Sequence, residues 1–141
     1  MTGIQTCALP IFITEFRLPK QAARTGDAYL RFIPRTEMDI AVVGAGINLT
    51  LDGKGVCTAA RVCLGAVAER ALLVQPAADA LIGTKVDDAA IAKMGAAVSA
   101  ACRPIDDKRG TKAFRIKVSG VMARRAAAIA RDRALGTKGK K

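Results

Sequence analysis

Ile47-Asn48-Leu49-Thr50-Leu51-Asp52-Gly53-Lys54-Gly55-Val56 is the stretch on which the fold turns. Apolar Ile47, Leu49 and Leu51 alternate with polar Asn48 and Thr50, the period of two expected of a strand with one face buried. Asp52-Gly53-Lys54-Gly55 then interrupts the alternation. Asp-Gly between two alternating runs is a hairpin signal, because glycine accepts the positive φ of a tight turn. Residues 56–67 run back, with Ala60, Val62, Leu64 and Ala66 placed on one face. Upstream the strand extends through Asp39-Ile40-Ala41-Val42-Val43-Gly44-Ala45-Gly46. The centre is therefore predicted to be an antiparallel meander.

Val42-Val43-Gly44-Ala45-Gly46 invites a second reading, as the opening of a dinucleotide-binding fingerprint. That motif needs G-x-G-x-x-G with a helix starting at the glycines, so that its N-terminal amides meet the pyrophosphate. Here the third glycine position holds Leu49, and the residues after Gly46 alternate as a strand. The glycines are expected to mark a bulge or a close backbone approach instead.

Working outward, residues 12–19 alternate from Ile13 and end at Pro19, which reads as a half-buried strand. Residues 20–27 are a polar loop, 28–33 a short strand and 34–38 a polar break. Beyond the hairpin the period changes to that of helices. Residues 75–82 read as a short helix starting at Pro76 with Gly83 as its C-cap. Residues 87–102 carry Ile91, Met94, Ala97, Val98 and Ala101 at helical spacing, and Arg103-Pro104-Ile105 stops them. Thr111 is placed to cap a last helix. Phe114, Val118, Val121, Met122, Arg125 and Ile129 line one side of it, and Lys117, Arg124 and Arg131 repeat every seven residues on another. Strands first and helices second predict an α+β domain, one sheet face covered by helices. Residues 136–141 are expected to be a basic, disordered tail.

The chain has 141 residues, 51% of them hydrophobic, which suits one globular domain. Its net charge of +11 is uneven. Residues 103–141 carry 13 Lys/Arg against 3 Asp/Glu, so nearly all the excess sits in the last quarter. That face suits an acidic partner or a nucleic acid, although no aromatics interleave the basic residues for base stacking. No histidine is present, which excludes Cys–His and Ser–His–Asp nucleophiles. Cys7, Cys57, Cys63 and Cys102 form no C-x-x-C pair, so a zinc centre is excluded too. They read as small buried hydrophobes in a reducing, cytoplasmic compartment, and the even spacing of Cys57 and Cys63 puts both on one strand face. No apolar run reaches the roughly 18 residues of a membrane span. Residues 1–11 lack the positive start and apolar core of a signal peptide. Except at Ile4 they match the translation of a common short-read sequencing adapter. They are expected to be an artefact, with the natural sequence starting near Phe12 inside a longer gene.

Four segments carry a resemblance: F-I-T-E-F-R-L-P from Phe12, A-Y-L-R-F-I-P-R-T-E-M-D-I-A-V-V from Ala28, A-R-V-C-L-G-A-V-A from Ala60 and R-P-I-D-D-K-R-G-T-K-A-F-R from Arg103. In this order and at these distances, residues 12–135 resemble the C-terminal domain of the FAD-binding medium subunit of molybdenum hydroxylases, the xanthine dehydrogenase and carbon monoxide dehydrogenase group. The resemblance implies an antiparallel sheet of three or four strands packed on three helices. It implies a flavin gripped mainly by two N-terminal domains absent from this chain, so that the fragment is not active alone. Iron–sulfur small and molybdopterin large subunits are implied as partners, passing electrons through 2Fe–2S clusters to FAD and on to an acceptor. This domain would close over one side of the flavin, with Ile13 near the ring and Arg31 at its polar edge. Leu30 would sit in a slot that some relatives fill with lysine, and residues 32–38 would border the ring. Asp106 and Asp107 read either as an acid–base pair or as carboxylates favoured at a helix N-terminus. From the charge asymmetry, the basic last helix is expected to be a docking face for the absent domains or partner subunits. The alternative reading is a free-standing basic interaction domain that binds an acidic partner or nucleic acid.

Overall fold

The computed structural model describes residues 14–35 and 40–137. Four strands, β1 (Thr25–Phe32), β2 (Val43–Leu51), β3 (Cys57–Gly65) and β4 (Leu72–Leu73), precede three helices, α1 (Gln75–Asp79), α2 (Asp88–Ala101) and α3 (Lys112–Ala134). The sheet is an antiparallel meander in the order β1-β2-β3-β4. α3 crosses β1 and β2, α1 backs β3, and α2 packs on both helices. None of the helices is long and apolar enough to cross a membrane.

The hairpin forms where Asp-Gly-Lys-Gly predicts it. Asp52 accepts the amides of Lys54 and Val56 at 2.8 Å, and Gly55 takes φ +79°. These amides hold the Asp52 carboxyl below its ordinary pKa, that of Val56 foremost. β2 presents Val43, Ala45, Ile47, Leu49 and Leu51 to the helices, joined in the core by Val62 and Leu64 of β3 and by Leu81, Met94 and Val98. Burying side chains of this size contributes about 1.5–3 kcal/mol each.

Several sequence expectations are corrected. Residues 14–19 form no strand, and Phe16 and Leu18 are 82% and 91% exposed, because no strand among the described residues pairs with them. Phe12 and Ile13 lie outside the described residues. β3 does not keep one face throughout. The register slips between Thr50 and Leu51, which face Ala59 and Cys57. The extra residue of this bulge, Thr58, puts Cys57 in the core and Cys63 on the opposite, exposed face despite their even spacing. Ala66 lies past the end of β3, exposed at φ +63°. α1 ends at Asp79 with Ala80 as its C-cap, and Gly83, at φ +80°, closes the following turn through its amide to the Cys57 carbonyl.

α3 buries a different face from the one its large apolar residues mark. Met122, Ala123, Ala126, Ala127, Ala130 and Ala134 are buried, while Phe114 and Ile129 are exposed. The cause is distance. A Cβ on Gly26 of β1 would stand 2.0 Å from the Ala130 carbonyl oxygen, so helix and strand nearly touch and only small residues fit between them. Asp87 and Thr111 cap α2 and α3 by accepting the amides of Ala90 and Phe114.

Candidate functional site

With the helices on one side, the other face of β1–β3 is covered by no helix or strand among the described residues. Strand alternation sends Thr25, Asp27, Tyr29 and Arg31 of β1 to that face, with Gly44, Gly46, Asn48 and Thr50 of β2. Register sets them in rows across the sheet. Arg31 lies opposite Gly44 and Gly65, Tyr29 opposite Gly46 and Cys63, Asp27 opposite Asn48 and Arg61, and Thr25 opposite Thr50 and Ala59. The two threonine hydroxyls hydrogen-bond at 2.9 Å.

The glycines of the rejected fingerprint have a different task here. A Cβ on Gly44 would stand 2.7 Å from the Tyr29 hydroxyl oxygen, and one on Gly46 would lie 3.6 Å from the tyrosine ring. The two glycines form a flat seat on which the Tyr29 side chain rests, and Tyr29 is 65% exposed. Beside the ring lies a cleft of about 270 Å³ lined by Tyr29, Gly46, Asn48, Arg61 and Cys63. It shares Asp27, Asn48 and Arg61 with a wider cavity of about 700 Å³, whose far wall is formed by Leu18, Pro19, Lys20 and Gln21. The face is basic as well as open. Arg31, Arg61 and Lys20 border it, while Asp27 is engaged by Arg133, which donates to its carbonyl at 2.6 Å and stands 3.9 Å from its carboxylate. A shallow, glycine-floored face with an aromatic ring and cations can cover one side of a flat, polar-edged ligand. It encloses nothing.

The sequence-predicted cofactor residues divide. Ile13 lies outside the described residues. Arg31 stands exposed on the bare face, whereas its neighbour Leu30 turns the other way and packs against the core. The structure adds Tyr29, which sequence reasoning passed over. Its signal was the Ala28-Tyr29 pair together with Gly44-Ala45-Gly46, and only the register connects the two.

Asp106 and Asp107 are not an acid–base pair, because each is committed to the start of α3. Asp106 accepts the Lys112 amide at 2.6 Å. Asp107 accepts the Arg109 amide and the Arg115 guanidinium, at 2.8 and 2.5 Å. Arg115, 3% exposed, also donates to the carbonyls of Val42 and Ala66 at 3.0 and 3.3 Å, joining the start of β2, the end of β3 and the α3 approach. The Arg115 hydrogen bond, with the Arg109 amide, holds the Asp107 carboxyl below its ordinary pKa. Burial pushes the Cys57 and Cys102 thiols up, away from the reactive thiolate.

Residues 28–130 match the family described as the CO dehydrogenase flavoprotein C-terminal domain. The carbon monoxide dehydrogenase medium chain of Afipia carboxidovorans is 36% identical over 122 residues, 86% of this chain and 42% of that protein. The alpha subunit of the 6-hydroxypseudooxynicotine dehydrogenase complex of Paenarthrobacter nicotinovorans is 30% identical, over 89% of this chain and 42% of that protein. Among solved structures, reconstituted CO dehydrogenase from Oligotropha carboxidovorans superposes with a TM-score of 0.77 at 34% identity, covering 82% of this chain and 40% of that one. Quinoline 2-oxidoreductase from Pseudomonas putida 86 gives 0.72 at 29%, covering 80% and 38%. The chain thus spans about two-fifths of the length of the proteins it matches.

Proposed function

Since the chain belongs to the CO dehydrogenase flavoprotein C-terminal domain family, we infer that it is the flavin-covering domain of an FAD-binding medium subunit of a molybdenum hydroxylase. The main FAD grip lies in N-terminal domains outside this chain. Iron–sulfur and molybdopterin subunits are its partners, in a reducing, cytoplasmic compartment that suits the free thiols Cys57, Cys63 and Cys102. When bound, FAD supplies the electron-accepting chemistry between the iron–sulfur clusters and the final acceptor.

The observation that carries this reading is the bare sheet face, flat, shallow and edged by cations. Its residues fit one side of a flavin ring. Tyr29, held flat by Gly44 and Gly46, offers an apolar surface for stacking. Arg31, exposed in the next row, offers a fixed positive charge to the ring's polar edge, where it stabilises negative charge in the reduced cofactor. Ile13 belongs near the same ring through the family resemblance. Leu30 supports the strand from behind by packing against the core.

The test is a chimera in which this chain replaces the matching part of the carbon monoxide dehydrogenase medium chain. The chimera should bind FAD. Arg31→Gln should lower the flavin midpoint potential by roughly 20–60 mV and leave the thermal midpoint unchanged. A potential unmoved by Arg31→Gln would remove the residue from the flavin's surroundings. Loss of flavin from a folded chimera would remove the covering role.

A further inference from the structure

A groove between α2 and α3 lies on the helical side of the domain, away from the bare sheet face. It encloses about 290 Å³ and is lined by Ala92, Ala96 and Ser99 of α2 with Lys117, Val121 and Arg124 of α3. No acidic residue lines it.

The cations of α3 divide by what they do. Lys112 pairs with Asp106, Arg115 is tied to Asp107 and the sheet, Arg131 to Val86 and Asp132, and Arg133 to Asp27. These cations are engaged within the domain, Arg115 as its buried tie. Lys117, Arg124 and Arg125 have no hydrogen-bond or ion-pair partner among the described residues, and Lys117 and Arg124 are the two of them that line the groove. Both are exposed and stand on the groove. The stem of Arg124 lies over Gly95, where an added Cβ would come within 2.8 Å of its Cγ. That close packing holds the aliphatic stem of Arg124 at the groove. Seven residues separate the two cations, two helical turns or about 10 Å along the axis.

We propose that this groove docks an acidic helix of another polypeptide chain, whose carboxylates, also two turns apart, meet Lys117 and Arg124. The exposed Ala92 and Ala96 allow that helix to approach the α2 backbone closely. The site is independent of the flavin reading, and its test uses no flavin.

The probe is an alanine-based helical peptide with glutamates seven residues apart, titrated into the ¹⁵N-labelled 141-residue chain. A second peptide carries lysines at those positions. The glutamate peptide should bind saturably, with amide shifts confined to the groove residues, and more weakly as salt is raised. The double variant Lys117→Glu with Arg124→Glu should keep a dispersed spectrum, bind the glutamate peptide at least tenfold more weakly, and gain binding to the lysine peptide. The single variant Lys117→Gln should weaken the glutamate peptide with no gain for the lysine peptide. Shifts spread over other basic residues, or equal binding of both peptides by the wild-type chain, would overturn the proposal. So would tighter binding of an oligothymidylate at the same amides, or self-association of the chain through them.

Discussion

Tyr29, Gly44 and Gly26 show how much a missing Cβ matters according to what stands in its place. At Gly44 the obstacle is the free end of an exposed tyrosine, which can swing aside. Gly44→Ala should therefore cost under about 1 kcal/mol, while unseating the Tyr29 ring. At Gly26 the obstacle is the backbone of α3, and Gly26→Ala should destabilise by about 3 kcal/mol or more because neither element can yield alone. Urea unfolding of the two variants checks the difference. Arg115→Met removes the ties to Val42, Ala66 and Asp107 together and should cost about 2–4 kcal/mol. Asp107 adds a pH dependence whose sign follows from its lowered pKa. A carboxyl that titrates lower when folded than unfolded stabilises the fold above its ordinary value, about pH 4. It loses that contribution as the pH falls through the folded value. The urea midpoint of the wild-type chain should thus fall more steeply between about pH 5 and pH 2.5 than that of Asp107→Asn. The thiols add a further check. Cys63 on the bare face should react with a disulfide reagent at pH 8 well before the buried, pKa-raised Cys57 and Cys102.

At the scale of elements, the β2–β3 hairpin and the two longer helices were legible because each carries a periodic signal with marked ends. Asp-Gly closes the hairpin, Asp87 and Thr111 cap the helices, and the apolar spacing of Ile91, Met94 and Val98 matches the buried face of α2. The bulge at the start of β3 was not legible. Cys57, Thr58, Ala59 and Ala60 are all small, so inserting one residue leaves no break in the residue types. Nor was the buried face of α3. Alanine suits either side of a helix, and Phe114 and Ile129 look like core residues until the closeness of α3 to Gly26 is known. That closeness is itself testable. Ala126→Leu should destabilise by about 1–3 kcal/mol through overpacking. Ile129→Ala, removing a larger and more apolar group from a partly exposed position, should cost less. Thermal melts of both variants make the comparison.

Across the described residues, helices close one face of the sheet and leave the other open. The sequence pointed to the ends of this arrangement: the α+β order, the family, and Arg31 as a cation on β1. It could not show the middle, the seating of Tyr29 on Gly44 and Gly46, because that contact depends on a strand register that residue types leave open. It also placed Leu30 and Arg31 side by side as candidates, and the alternation of β1 sends only Arg31 to the open face. The most direct measurement is hydrogen–deuterium exchange of the medium-chain chimera with and without FAD. Exchange should slow in peptides covering β1 from Tyr29 to Phe32 and stay unchanged in α2 and in α3 facing the groove. Slowing confined to the helical side, with β1 indifferent to FAD, would contradict the covering role of the bare sheet face.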